Sequence, residues 1–135
     1  LVVSARYYTE LMNNMEADTK LILENNKHIV SEYSFIEVPG VFEIPVVLSK
    51  FINKFEGFIA LGCVIKGETP HFDFISTAAT NAIMKISIDN KKPVGNGILT
   101  CLNKKQAEIR SKQKGKEAAK AVISVLKLPL KEYPH

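Results

Sequence analysis

An α/β protein is what this sequence predicts: a three-layer α/β/α sandwich with a four-stranded parallel sheet in the middle. Three observations carry that expectation. Apolar residues recur at helical spacing in four segments, short continuously apolar runs lie between them, and the two kinds of segment alternate along the chain. Strands that are apolar at every position are buried on both faces, which is the habit of a parallel sheet covered by helices.

The elements follow in order. Leu1-Val2-Val3 opens as a strand, and Leu11, Met12, Met15, Thr19, Ile22 and Leu23 then form one helical stripe. Residues 29–38 read as the second strand. Ile44, Val47, Leu48, Phe51 and Ile52 repeat the helical spacing, and Pro45 in the first turn suits a helix start. Residues 58–65 are continuously apolar and form the third strand. Ile75, Ala78, Ala79, Ala82, Ile83 and Ile86 give the third helix. Gly95-Asn96-Gly97 resembles a turn before a last strand at residues 98–102. A short amphipathic helix carrying Arg110 follows, and then a stripe of Ala118, Ala119, Val122, Val125 and Leu126. Right-handed crossovers are expected between the parallel strands.

The chain has 135 residues, enough for one domain, and residues 1–135 read as a single one with no repeat or linker. With 46% hydrophobic and 24% charged residues it falls outside the disordered, collagen-like and low-complexity classes. No apolar run approaches the roughly 18 residues that span a bilayer. Leu1 to Arg6 has no basic flank before an apolar stretch, so no signal peptide is indicated. The sequence begins without Met, directly in apolar residues, and the reading is that a short leader precedes it. The net charge of +4 is concentrated between Lys104 and Lys120. Without zinc-finger spacing or an RNA-binding aromatic signature, that stretch reads as a solvated helix face, and no nucleic-acid or membrane partner is expected. Cys63 and Cys101 lie within apolar runs, as buried thiols of a reduced, cytoplasmic protein would.

In an open parallel sheet, ligands bind beyond the carboxyl ends of the strands. The loops there are Arg6 to Thr9, Pro39 to Glu43, Lys66 to His71, and Asn103 to Lys105. Thr69-Pro70-His71 reads as a helix start with Thr at the cap and Pro at the first position. Helix N-termini attract anions, and Lys66, Gly67 and Thr69 add charge, close backbone approach and a hydroxyl, so the loop is a credible phosphate cradle. Its spacing is not that of the nucleotide-binding glycine motifs. His71 lies beside it, and an imidazole gives and takes protons near neutrality. His28 and His135 read as solvent histidines. Glu43 either favours a helix dipole or accepts from ligand hydroxyls. Tyr7 and Phe42 either pack or stack on a planar heterocycle. Residues alone reach an anion site with an acid–base histidine and name no reaction.

Three blocks carry a resemblance. Residues 38–45, VPGVFEIP, are similar to the V-P-G-x-x-E-I-P block of the lumazine synthase family. Residues 60–72, ALGCVIKGETPHF, resemble that family's A-L-G-x-V-I-K/R-G-x-T-x-H-F/Y loop. Pro93 to Thr100, then Gln106, Ala107 and Arg110, follow its third block. The resemblance implies a flavodoxin-like fold. It also implies condensation of 5-amino-6-ribitylaminouracil with 3,4-dihydroxy-2-butanone 4-phosphate to 6,7-dimethyl-8-ribityllumazine, the penultimate step of riboflavin biosynthesis, with no cofactor and no metal. Carried over by position, His71 would be the general acid and base, and Tyr7 would stack on the pyrimidine. Val41, Phe42 and Glu43 would line the ribityl chain, and Cys63, Val64 and Ile65 would contact the pyrimidine through backbone. Glu68 and Thr69 would bind the phosphate, joined by Arg110 and Lys114. Arg110 would come from a neighbouring subunit. Asn96 stands where many members place an aromatic ring from that neighbour, and Tyr8 replaces the usual Asn. The segment between Arg110 and Lys114 is shorter than usual. A homopentamer follows, alone, paired as a decamer or closed into a sixty-subunit shell, with riboflavin synthase as a possible protein partner. Two other readings stand beside this one: a pentamer that holds flavin or lumazine without efficient turnover, and a Schiff-base enzyme with Lys66 as nucleophile.

Overall fold

The computed structural model describes residues 1–128. His135 lies outside them, as does the end of the expected domain. Four strands alternate with four helices: β1 (Val2–Ala5), α1 (Thr9–Glu24), β2 (Phe35–Val38), α2 (Ile44–Lys50), β3 (Phe58–Ile65), α3 (His71–Asn90), β4 (Val94–Cys101) and α4 (Lys104–Leu126). All pairings are parallel, in the order β2-β1-β3-β4. The expected three-layer sandwich is what the chain forms. Leu11, Met12 and Met15 of α1 and Ala118, Ala119 and Val122 of α4 pack on one face of the sheet, against Val2, Leu61 and Leu99. Ile44 and Leu48 of α2 and Ala79 and Ile83 of α3 cover the other, against Val3, Ala60 and Phe58.

Four details differ from the expectation. The second strand begins at Phe35, because Ile29 and Val30 donate their N–H groups to the Asn26 carbonyl, both at 2.9 Å, and extend the turn after α1. The apolar side chains of residues 29–33 still reach the core. Helix α2 stops at Lys50, short of Phe51 and Ile52, which lie in the following turn. Helix α4 is one element of 23 residues where two were expected. Its buried stripe continues through Ala107, Ser111 and Gly115, small side chains that give no apolar signal in sequence. Asn103 starts it by accepting from the Gln106 amide at 2.9 Å, while the Gln106 side chain accepts from the Leu102 amide at 2.9 Å.

The fourth difference concerns Gly95-Asn96-Gly97, which lie inside β4 rather than in a turn. Gly95 and Gly97 are buried against α4 and β3. A Cβ on Gly95 would come within 2.4 Å of the Ala118 carbonyl oxygen, and one on Gly97 within 2.6 Å of Leu61 Cδ2. The glycines are there so that a helix can lie directly on the strand.

This topology fixes where a ligand can go. The chain moves outward from β1 to β2, then returns past β1 to β3, so connections leave in opposite directions on either side of the β1/β3 boundary. A crevice opens at such a switch point, beyond the carboxyl ends of the strands.

Candidate active site

Three loops meet above that boundary. Arg6 continues the β1–β2 ladder through its N–H to Val38 O at 3.0 Å, and the next residue, Tyr7, turns outward with 76% of its surface exposed. After β2, Pro39-Gly40 leads into a single 3-10 turn at Val41–Glu43, which buries Val41 and leaves Phe42 67% exposed. After β3, Lys66 to Pro70 form an exposed loop before α3 starts at His71. Between them lies a cleft of about 640 Å³ lined by Tyr7, Val41, Phe42, Cys63, Val64, Ile65 and His71. Seven residues expected at the site are therefore brought together on one wall-to-wall surface. Most of that surface is apolar, which suits a planar heterocycle, and His71 places a proton-transfer group at its rim.

Other expected residues stand beside the cleft or away from it. Glu43 is half-buried, and its Oε1 accepts from the Gly40 amide at 2.9 Å, so one oxygen shapes the turn that holds Phe42. Glu68 and Thr69 are exposed on the loop next to His71. The helix starts one residue later than the capping pattern suggested, but Thr69 Oγ1 still accepts from the His71 N–H at 3.4 Å. A Cβ on Gly67 would meet nothing within 4 Å, so the loop leaves open space rather than packing against protein. Lys66 is exposed and does not line the cleft; its backbone N–H donates to Cys101 O at 2.9 Å.

Asn96, Arg110 and Lys114 do not line this chain's own cleft. Asn96 pairs with Ala60, well before the carboxyl end of β4 at Cys101, and is exposed on the sheet's edge strand. Its Oδ1 accepts from the Ile98 amide at 3.0 Å. Arg110 is exposed at the outer side of β4, its Nη1 3.4 Å from Thr100 O and 3.9 Å from Cys101 Sγ. Lys114 follows four residues later on α4, on the same helical face.

Three residues that sequence reasoning did not place at the site also line the cleft: Tyr8, Gly40 and Ile75. Gly40 and Tyr8 had been visible as loop residues. Ile75, one turn after His71, carries in sequence only the periodicity of the third helix, which does not tell whether its stripe packs on the sheet or faces a neighbouring subunit. Tyr7 and Tyr8 meet edge to face with centroids 4.9 Å apart. Burial raises the Tyr8 phenol above its usual value, helped by nearby Cys63 and Tyr7. Burial also pushes the Cys63 thiol up to about 12, with a smaller push from Cys101. Cys63 therefore stays neutral near neutral pH and serves as apolar wall, not as a nucleophile. Both cysteines are free and buried, as expected. Among the described residues, no group of three His, Cys, Asp or Glu could hold a metal ion, and no helix is long and apolar enough to cross a membrane.

Known proteins share this arrangement of sequence. The family model described as 6,7-dimethyl-8-ribityllumazine synthase matches residues 1–129. A 6,7-dimethyl-8-ribityllumazine synthase of Agrobacterium fabrum is 36% identical over 97% of this chain and 94% of its own length. One from Bartonella bacilliformis is 39% identical, covering 95% of this chain and 88% of the relative. One from Erythrobacter litoralis is also 39% identical, over 95% of this chain and 93% of the relative. The match spans β1 to the end of α4, including all three loops that build the cleft, and the chain belongs to the 6,7-dimethyl-8-ribityllumazine synthase family.

Proposed function

We propose that this protein condenses 5-amino-6-ribitylaminouracil with 3,4-dihydroxy-2-butanone 4-phosphate, forming 6,7-dimethyl-8-ribityllumazine, phosphate and water. The observation that carries the reading is the cleft itself. A largely apolar slot of about 640 Å³ at the topological switch point is lined by both an exposed tyrosine and a histidine.

The residues divide the work by chemistry. Tyr7 is positioned to lie against the pyrimidine, with Cys63, Val64 and Ile65 at the end of β3 forming the floor. Val41, Phe42 and the second Glu43 oxygen face the ribityl chain. Glu68 and Thr69 hold the phosphate end in the open space beside Gly67, where the first amides of α3 have no intrahelical partner. The pyrimidine's amine attacks the ketone, the carbinolamine loses water to give an imine, a proton leaves carbon, phosphate is expelled, and ring closure releases water. Each step moves a proton. His71 accepts and returns it at the rim, next to the phosphate loop. Holding both substrates in one slot supplies the remaining acceleration through orientation.

Arg110, Lys114 and Asn96 complete a neighbouring subunit's site, which makes the working form an oligomer, a pentamer or an assembly of pentamers. Asn96 and Arg110 are exposed on the outer side of β4 and α4, Lys114 is half-buried beside Arg110, and none of the three lines the cleft of its own chain, which supports this. Buried, unpaired thiols are in keeping with a cytoplasmic setting. Arg110→Ala provides the test. Loss of a charged partner to phosphate should raise the butanone phosphate KM by about 30-fold or more, with the pyrimidine KM within about twofold. Steady-state kinetics with each substrate varied in turn decides it. Equal weakening of both substrates would remove Arg110 from the phosphate site. A pyrimidine that binds without turnover would instead support a ligand-holding pentamer.

A further inference from the structure

Arg6 is held by more polar partners than any role in the proposed chemistry requires. Its Nη1 pairs with Glu16 and its Nη2 with Asn13 Oδ1, both on α1. Its Nη2 also reaches Thr9 O at 3.5 Å, and its Nε lies 3.6 Å from Glu37 Oε1 on β2. The guanidinium side chain is only 18% exposed and that of Glu16 20%, so this pair is largely withdrawn from water. The backbone of Arg6 is fixed as well, donating to Val38 O and accepting from Thr9 Oγ1 at 3.3 Å.

Only Tyr7 and Tyr8 lie between the two residues so tied. Tyr8 is anchored at the start of α1, its carbonyl accepting from the Met12 amide at 3.1 Å and its ring packing against the core, although it makes no side-chain capping bond. Tyr7 has no such tie of its own among the described residues. The Tyr7 ring is three-quarters exposed and touches Tyr8 edge to face, so its position depends on where the ends of this short segment are held. Arg6 also joins Glu37 and Val38 to the same cluster, next to the Pro39-Gly40 loop that carries Phe42.

The geometry points to Arg6 as a positioning residue for the aromatic wall of the cleft: it holds Tyr7 in register with the floor formed by Cys63, Val64 and Ile65, and thereby sets pyrimidine affinity. A planar guanidinium suits this because it donates in several fixed directions at once, to helix, loop and strand. An ammonium cannot span all of those partners. The inference rests on the proposed function, in which Tyr7 stacks on the pyrimidine.

The test is a double-mutant cycle on the full oligomeric protein, with KM measured separately for ribitylaminouracil and for butanone phosphate. Arg6→Met should raise the pyrimidine KM about tenfold, the size of a disengaged aromatic contact, and leave the butanone phosphate KM within about twofold. Arg6→Lys should recover part of the loss. In a Tyr7→Ala background, Arg6→Met should add less than about twofold, because the ring it positions is gone. Equal rises in both KM values, or full multiplication of the two effects, would overturn the role. If Arg6→Met does not fold, Glu16→Gln weakens one arm with the guanidinium kept. It should shift the pyrimidine KM alone and by less, and an unselective shift counts against the inference in the same way. Failure of the unmodified protein to make lumazine would overturn the proposed function itself. Turnover with unselective Arg6 effects would overturn only the positioning role.

Discussion

His71→Ala should lower kcat for lumazine formation by about 10²- to 10⁴-fold, the usual worth of a positioned general acid and base. The protein itself should be almost unaffected. His71 is exposed at the start of α3, its side chain makes no hydrogen bond to another described residue, and its backbone N–H bond to Thr69 Oγ1 is one that alanine retains. A surface change of this kind falls within about 0.5 kcal/mol of neutral. Single-turnover rates measure the chemical loss, and the thermal midpoint checks the fold. A loss below about threefold with both substrates saturating would mean that the proton transfers run through another group, and the assignment of His71 would be wrong.

Gly95→Ala should be the most costly small substitution in the sheet. The added methyl would sit 2.4 Å from the Ala118 carbonyl oxygen and 2.9 Å from Val122 Cγ2. Backbone cannot move aside as a side chain can, so α4 must lift from β4. Overpacking of this kind costs about 1–3 kcal/mol and sometimes more. For a chain of this size that corresponds to a fall of roughly 5–10 °C in thermal midpoint. Gly67→Ala is the control, because a Cβ there meets nothing within 4 Å and no described glycine has a positive φ. Calorimetry on the two variants should separate them clearly. Equal midpoints would show that α4 does not press on β4 as closely as the structure has it.

The same glycine shows what was legible in the sequence and what was not. Apolar periodicity located every helix and strand, because it records which faces meet the core, and that is decided residue by residue. Residues 58–65 were placed as a strand with the ends they have in the structure. Gly95-Asn96-Gly97 was misread because glycine marks both tight turns and close helix contact, and only the partner tells which. Ile29 and Val30 carry the apolar signal of a strand, yet the Asn26 carbonyl captures the amides of both. The first half of α4 was underestimated because Ala107, Ser111 and Gly115 are buried without being strongly apolar.

For the site, the loops at the carboxyl edge could be named from topology alone, and seven of the expected residues do share one cleft. Tyr8 and Ile75 escaped because lining a cleft depends on the angle at which an element arrives. Arg6 escaped for a different reason: its partners Asn13, Glu16 and Glu37 are brought to it from α1 and β2 only on folding. Arg110 looked ordinary in sequence and looks ordinary on its own chain. Its proposed role needs a second subunit.

Whether this cleft makes lumazine is decided by mixing the purified protein with ribitylaminouracil and butanone phosphate and following lumazine absorbance, with each substrate omitted in turn. The expected result is turnover well above the uncatalysed rate, and only with both substrates present. A rate no greater than that of the substrates alone would contradict it.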